Sequence, residues 1–479
     1  MKAAALSALI LILFPFIQTA PAFAHAFGER YDLPLPLPFY MASAGATVAL
    51  SFVIMALFFR HTRNENRVAY SFPLPPAATW ISNGFKLFSF MIFCLIFLTG
   101  FYGVNDALHN FSSVFVWVIW WVGMVFVCAI AGNLWAPLNP WKITFETMQK
   151  ITRRPLSLHR NYPSWLGSWP AVLFMLFFAW MELISSTGEL PRSVACYALI
   201  YSAITGLGMF IYGPEKWLKN GEVFSLFFGI VSKFSPIEIK DKRIYLHPIA
   251  NRLVQTEPVH ISVLFFVILV LSIVSLDGFM ETPAWVDILR RISESETMRP
   301  SLLFLQTQGV DLLQLIKLCA LIIAPLIFTS VYFVFSFLMA IGSGSKKERV
   351  KTMLMARYFV LSLVPIAIAY HLAHYLSYLL IAGQSIIPLL SDPFGFGWDL
   401  FGTAHHKINI TVINTKSVWY FSTIAIILGH LYAVYTAHMT ALNLCKSLKK
   451  AILSQIPMLF LMVGYTMISL WILSQPIVS

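Results

Sequence analysis

Charge is scarce in this chain: Asp, Glu, Lys and Arg make up 11% of 479 residues while hydrophobic side chains make up 58%, against the roughly 25% charged residues of a soluble domain. That deficit excludes an ordinary water-soluble fold. Cysteine is scarce too. Cys94, Cys128, Cys196, Cys319 and Cys445 all fall in or beside apolar runs with no CxxC pair, which excludes a disulfide framework and a thiolate zinc site. No internal repeat or low-complexity tract is readable, so the inverted-repeat sign of many transporters is missing. There is no GxSxG or Ser-His-Asp arrangement to supply an obvious nucleophile.

What is present is a succession of apolar runs. Lys2, the apolar residues 3–17 and Ala22-Phe23-Ala24 form a secretory signal pattern that predicts removal of residues 1–24 and a mature chain starting at His25. Ala20-Pro21-Ala22 and Ala24-His25-Ala26 offer alternative cleavage frames, and no cysteine marks a lipoprotein. Ten further apolar segments follow, near residues 39–59, 87–103, 112–135, 166–183, 193–212, 259–276, 316–340, 358–380, 417–438 and 456–473. Most reach the roughly 20 residues that span a hydrocarbon core. The predicted fold is an all-α polytopic transmembrane helix bundle, with residues 25–479 forming one membrane domain in a lipid bilayer.

The net charge of +12 is distributed unevenly. With the mature N-terminus outside, the connections 60–86, 136–165, 213–258, 341–357 and 439–455 carry 24 Lys and Arg, and the opposite connections carry seven. The positive-inside rule then places both mature termini in the periplasm of a bacterial-type inner membrane. The basic excess is topological, which leaves no argument for nucleic acid. About 13 of the 21 acidic residues lie on or near the outer face, among them Glu182 and the pair Asp277 and Glu281. Gly278 and Pro283 beside that pair suggest a turn, while carboxylates at one membrane face also suit cation capture.

Two connections are long. Residues 213–258 include the stretch Asn220 to Lys233, whose short apolar run flanked by Lys219 and Lys233 suits an interfacial helix. Residues 381–416, with Asp392, Asp399, His405 and His406, read as a lid or re-entrant segment.

Histidines carry the strongest chemical signal. His371, His374 and Tyr378 sit at i, i+3 and i+7, on one helical stripe. The two imidazoles lie roughly 9–14 Å below the outer end of their segment, and His430, on the next segment, roughly 20 Å below. Ionisable groups at such depth are costly and mark functional paths, although a histidine also serves as helix-to-helix glue. Imidazole binds zinc, copper and haem iron alike. His371, His374 and His430, overlain by His405 and His406, therefore compose a candidate metal site for copper or zinc, with Asp277, Glu281 or Asp392 as candidate base. A free terminal His25 is a second copper chelate, and two facing histidines also suit haem.

Several stretches carry a resemblance: His25-Ala-Phe-Gly-Glu-Arg-Tyr-Asp-Leu-Pro-Leu-Pro-Leu37, Trp180-Met-Glu-Leu183, Asn220-Gly-Glu-Val-Phe224, Ser275 to Trp285, and Ser391-Asp-Pro-Phe-Gly-Phe-Gly-Trp-Asp-Leu-Phe-Gly-Thr403. Across nearly its whole length the chain resembles the fenitrothion hydrolase family of bacterial polytopic proteins. The resemblance implies hydrolysis of apolar organophosphate triesters at the membrane, where a bound metal polarises the phosphoryl oxygen and acidifies its water; it supplies no catalytic residues to carry over. Three readings stay open: a metal-dependent membrane hydrolase, a copper or other divalent-metal transporter or acceptor, and a haem-bearing electron-transfer protein. The expected partners are the bilayer and a small apolar substrate or metal ion, with room for a membrane protein subunit.

Overall fold

A computed structural model describes residues 36–60, 70–345, 349–445 and 447–475. The signal segment and His25 lie outside the described residues. Among those described, nine helical spans are long and apolar enough to cross a membrane, and a tenth apolar helix is shorter. In chain order the spans are α1 (Leu37–Phe58), α2 (Ala77–Tyr102) and α3 (Phe111–Ala131). The surface helix α4 (Pro140–Thr152), the short α5 (Trp169–Leu183) and α6 (Pro191–Tyr212) come next. Then follow α7 (Pro214–Asn220), α8 (Val223–Val231) and α9 (Ile261–Met280). Two amphipathic pieces, α10 (Pro283–Glu294) and α11 (Arg299–Thr307), lead to α12 (Leu312–Gly342), α13 (Thr352–Ser391), α14 (Thr415–Leu444) and α15 (Leu448–Ser474). Every apolar segment expected from the sequence is a helix. The chain is an all-α, multi-pass membrane bundle.

Alternate connections gather at opposite ends of the bundle. At one end β1 (Tyr70–Pro73) pairs antiparallel with β3 (Arg243–Leu246), which also pairs with β2 (Ile237–Lys240), so connections 60–76 and 213–258 share a sheet. At the same end the Arg357 guanidinium donates to Val259 O at 2.6 Å, and His438 Nε2 meets Phe59 O at 2.8 Å. At the other end Val104 N–H donates to Phe394 O at 2.8 Å and Phe111 N–H to Pro393 O at 3.1 Å, while Arg192 N–H reaches Asn105 Oδ1 at 3.2 Å. The basic connections thus share one face and the acidic ones the other.

α9 and α13 are the most enclosed spans and α12 the least. Two glycines set how closely α13 approaches its neighbours. A Cβ on Gly429 would meet Ala369 Cβ and stand 2.8 Å from Pro365 O, and one on Gly278 would strike the Tyr370 hydroxyl. Gly278 is accordingly helical, and the turn expected beside it falls later, at Glu281 and Thr282, before Pro283 opens α10.

The run Val223–Val231 departs from expectation. As an interfacial helix it would leave one face in headgroups, yet Val223, Phe224, Phe227, Phe228, Ile230 and Val231 are all buried. α8 is inserted among α3, α5 and α13. Its first turn is satisfied by Glu222, whose carboxylate accepts from Phe224 N–H at 2.9 Å and Ser225 N–H at 2.7 Å. Tyr201 O–H adds a third donor to the same carboxylate at 2.8 Å. A buried helix end requires such a cap, because no water reaches its N–H groups.

Candidate functional site

The polar groups of the interior converge where α3, α5, α9 and α13 meet. On α9, Asp277 Oδ2 lies 3.0 Å from His374 Nε2 of α13, with side chains 5% and 8% exposed. The next residue of α13, Tyr375, donates its hydroxyl to the same Asp277 oxygen at 2.5 Å. That hydroxyl is also 3.5 Å from Glu182 Oε1, at the end of α5. Glu182 in turn accepts from the Trp121 indole N–H at 2.6 Å. One chain of polar contacts therefore runs His374, Asp277, Tyr375, Glu182, Trp121. Glu281 ends α9 one turn beyond Asp277.

Local backbone features create this meeting. Residues 115–122 of α3 wind as a π-helix, which adds a residue to the turn and re-aims the aromatic run Trp117, Trp120, Trp121; such segments recur at functional sites. In α13 a 3-10 stretch at Val360–Leu363 precedes Pro365, where a proline cannot donate to the preceding turn. On α9, Gly278 admits Tyr370 and so draws Asp277 against His374.

A small cavity of about 50 Å³ adjoins the cluster. Glu182, His371, Tyr375 and Trp121 form its polar side, and apolar residues of α5, α8, α9 and α13 form the remainder. Its volume exceeds the roughly 10–15 Å³ that one water molecule needs.

The histidines do not assemble as the sequence suggested. His374 is committed to Asp277. The His371 ring packs on Tyr375 at 4.6 Å and edge-on to Trp121 at 6.2 Å, and its Nε2 has no hydrogen-bond partner among the described residues. His430 turns back on its own helix, with Nδ1 2.8 Å from Ile426 O, and faces the Tyr465 ring at 6.0 Å. Among the described residues no group of three or more His, Cys, Asp or Glu side chains is placed to hold a metal ion. The donor set therefore does not fit the expected copper or zinc centre of His371, His374 and His430. The physical reason is directional: residues at i and i+3 share a stripe, but α13 is enclosed on several sides, so His371 and His374 meet different helices.

The connection between α13 and α14 holds the remaining candidates. Asp392 caps a turn by accepting from Phe396 N–H at 2.9 Å and Gly397 N–H at 2.6 Å. His405 and His406 are exposed. This connection docks on the 103–111 turn through Pro393 and Phe394.

Of the residues expected to do chemistry, the structure unites Asp277 and His374, with Glu281 one turn further along the chain. Tyr375 and Trp121 were not singled out in the sequence, where each reads as one more aromatic residue in an aromatic-rich span. The one available signal was the adjacency of Tyr375 to His374. No protein family, curated protein or solved structure matches the chain.

Proposed function

We propose that this protein transfers protons inside the membrane. The observation carrying the reading is the Tyr375 hydroxyl, set between Asp277 and Glu182 with His374 on the far side of Asp277. Each neighbour can accept the proton the last one gives up, and chains of Asp, Glu and His within spans are the usual means of proton relay in pumps and transporters. The adjoining cavity extends the chain toward His371. Positive-inside bias makes the acidic end periplasmic and the membrane the inner one.

The test is proton uptake by proteoliposomes under an imposed potassium diffusion potential, read with an internal pH dye. The wild-type chain is expected to carry protons above protein-free vesicles, and Asp277→Asn to lower the flux by about 100-fold or more, as for loss of a positioned acid–base group. Flux unchanged in Asp277→Asn, or absent from the wild type, sinks the proposal.

A second reading has its own observation. The Asp277–His374 pair at 3.0 Å is the arrangement in which a carboxylate orients an imidazole as general base. In a hydrolase of the kind the family resemblance implies, His374 would activate water without the three-histidine centre. Turnover of an aryl phosphotriester by the purified chain, lost in His374→Gln, would select this reading.

A further inference from the structure

A second cavity lies on the opposite side of α3. It measures about 470 Å³ and is walled by α2, α3, α5, α6 and α8, the turn at Trp135–Leu138 and the outer part of α13. That size falls within the roughly 300–1,000 Å³ of small-molecule sites. None of its lining side chains is charged and half are aromatic. Its rim includes Phe88, Phe177 and Leu390, which are exposed on the outside of the bundle, where bilayer hydrocarbon lies. At its inner end Trp120 packs edge-on against Phe224, ring centres 4.6 Å apart, and lies 5.4 Å from Trp135.

We infer that this cavity binds a neutral aromatic molecule that enters sideways from the bilayer. A charged ligand would find no counter-charge there, and desolvating it would be costly. A plain acyl chain would fill the volume without using the ring faces, which favour offset or edge-on contact with another ring.

The cavity also touches the polar cluster through one layer of rings. Trp121, the donor to Glu182, packs against Phe178 with ring centres 4.6 Å apart, and Phe178 lines the cavity. An occupant pressing on Phe178 therefore bears on the residue that holds Glu182. This link rests on the proton-transfer reading; the binding site itself does not.

The experiment uses the full chain in lipid nanodiscs and the neutral naphthyl ketone 6-propionyl-2-(dimethylamino)naphthalene, read by energy transfer from tryptophan. A saturable component is expected above the linear background of probe dissolved in lipid. Ala198→Phe, which projects a ring into the cavity from α6, should weaken that component at least about tenfold, equivalent to 1.4 kcal/mol. If that variant does not fold, Ile96→Trp from the α2 wall serves in its place. Transfer that only rises linearly with probe, or saturable binding unaltered in a folded, cavity-filled variant, overturns the inference and leaves the volume to lipid tails. Binding is read at equilibrium without proton movement, so its failure is distinguished from failure of proton flux.

Discussion

The Tyr375 hydroxyl donates to Asp277 Oδ2 at 2.5 Å across the α9–α13 interface, although 98 residues separate the two in sequence. The same hydroxyl is the nearest link from Asp277 to Glu182. Tyr375→Phe keeps the ring and removes the link. The expected result is a loss of about 1–3 kcal/mol in stability, as for a buried acceptor deprived of its donor, together with proton flux close to that of Asp277→Asn. Thermal unfolding in detergent and vesicle flux measure the two parts.

Replacement of the histidines separates a relay from a metal centre. His374→Gln should abolish flux because His374 touches Asp277. His430→Gln should retain flux, since His430 bonds its own helix and packs near the Tyr465 ring rather than the cluster. Equal losses from both, accompanied by loss of bound metal in elemental analysis, would restore the three-histidine centre.

Close approach at Gly278 is expected to be sterically strict. Gly278→Ala drives a methyl into the Tyr370 hydroxyl and should cost about 1–3 kcal/mol, the usual range for overpacking. Gly464, on α15, has no neighbour within 4 Å of a built Cβ. Its replacement by Ala should be neutral or slightly stabilising, because alanine favours helix by about 1 kcal/mol. Thermal unfolding of both variants in one detergent checks the contrast.

Glu222 anchors the inserted helix α8. Glu222→Ala leaves the N–H groups of Phe224 and Ser225 and the Tyr201 hydroxyl without their acceptor, each orphan costing about 1–3 kcal/mol when buried. Limited proteolysis within 213–258 should become faster, and Tyr201→Phe, which removes one donor to Glu222 and the acceptor of Val223 N–H, should have a smaller effect.

The bundle was legible because a membrane span is a local property: each apolar run carries its own evidence, and charge bias orders the connections around it. α8 was not, because a short, largely apolar run between two lysines looks the same lying on a membrane or inserted into a bundle. What distinguishes the cases is Glu222, a cap whose partners Tyr201 and Asn139 come from distant segments. Asp277 and His374 were both marked as unusual in their spans, yet their pairing depends on helix rotation and on the space Gly278 leaves, neither of which periodicity reveals. A shared stripe does not by itself give a shared partner: α13 has helices on more than one side, and the His371 and His374 rings meet different ones.

The infrared difference spectrum between protonated and deprotonated states of the purified protein tests most directly whether Asp277, His374, Tyr375 and Glu182 act as one proton-sharing unit. A carboxyl band should vanish in Asp277→Asn, and that same band should shift in Tyr375→Phe, His374→Gln and Glu182→Gln, because each replacement alters a group in the same hydrogen-bonded chain. A carboxyl band that disappears in Asp277→Asn but keeps its position in all three other variants would contradict a shared proton and leave these residues as separate structural contacts.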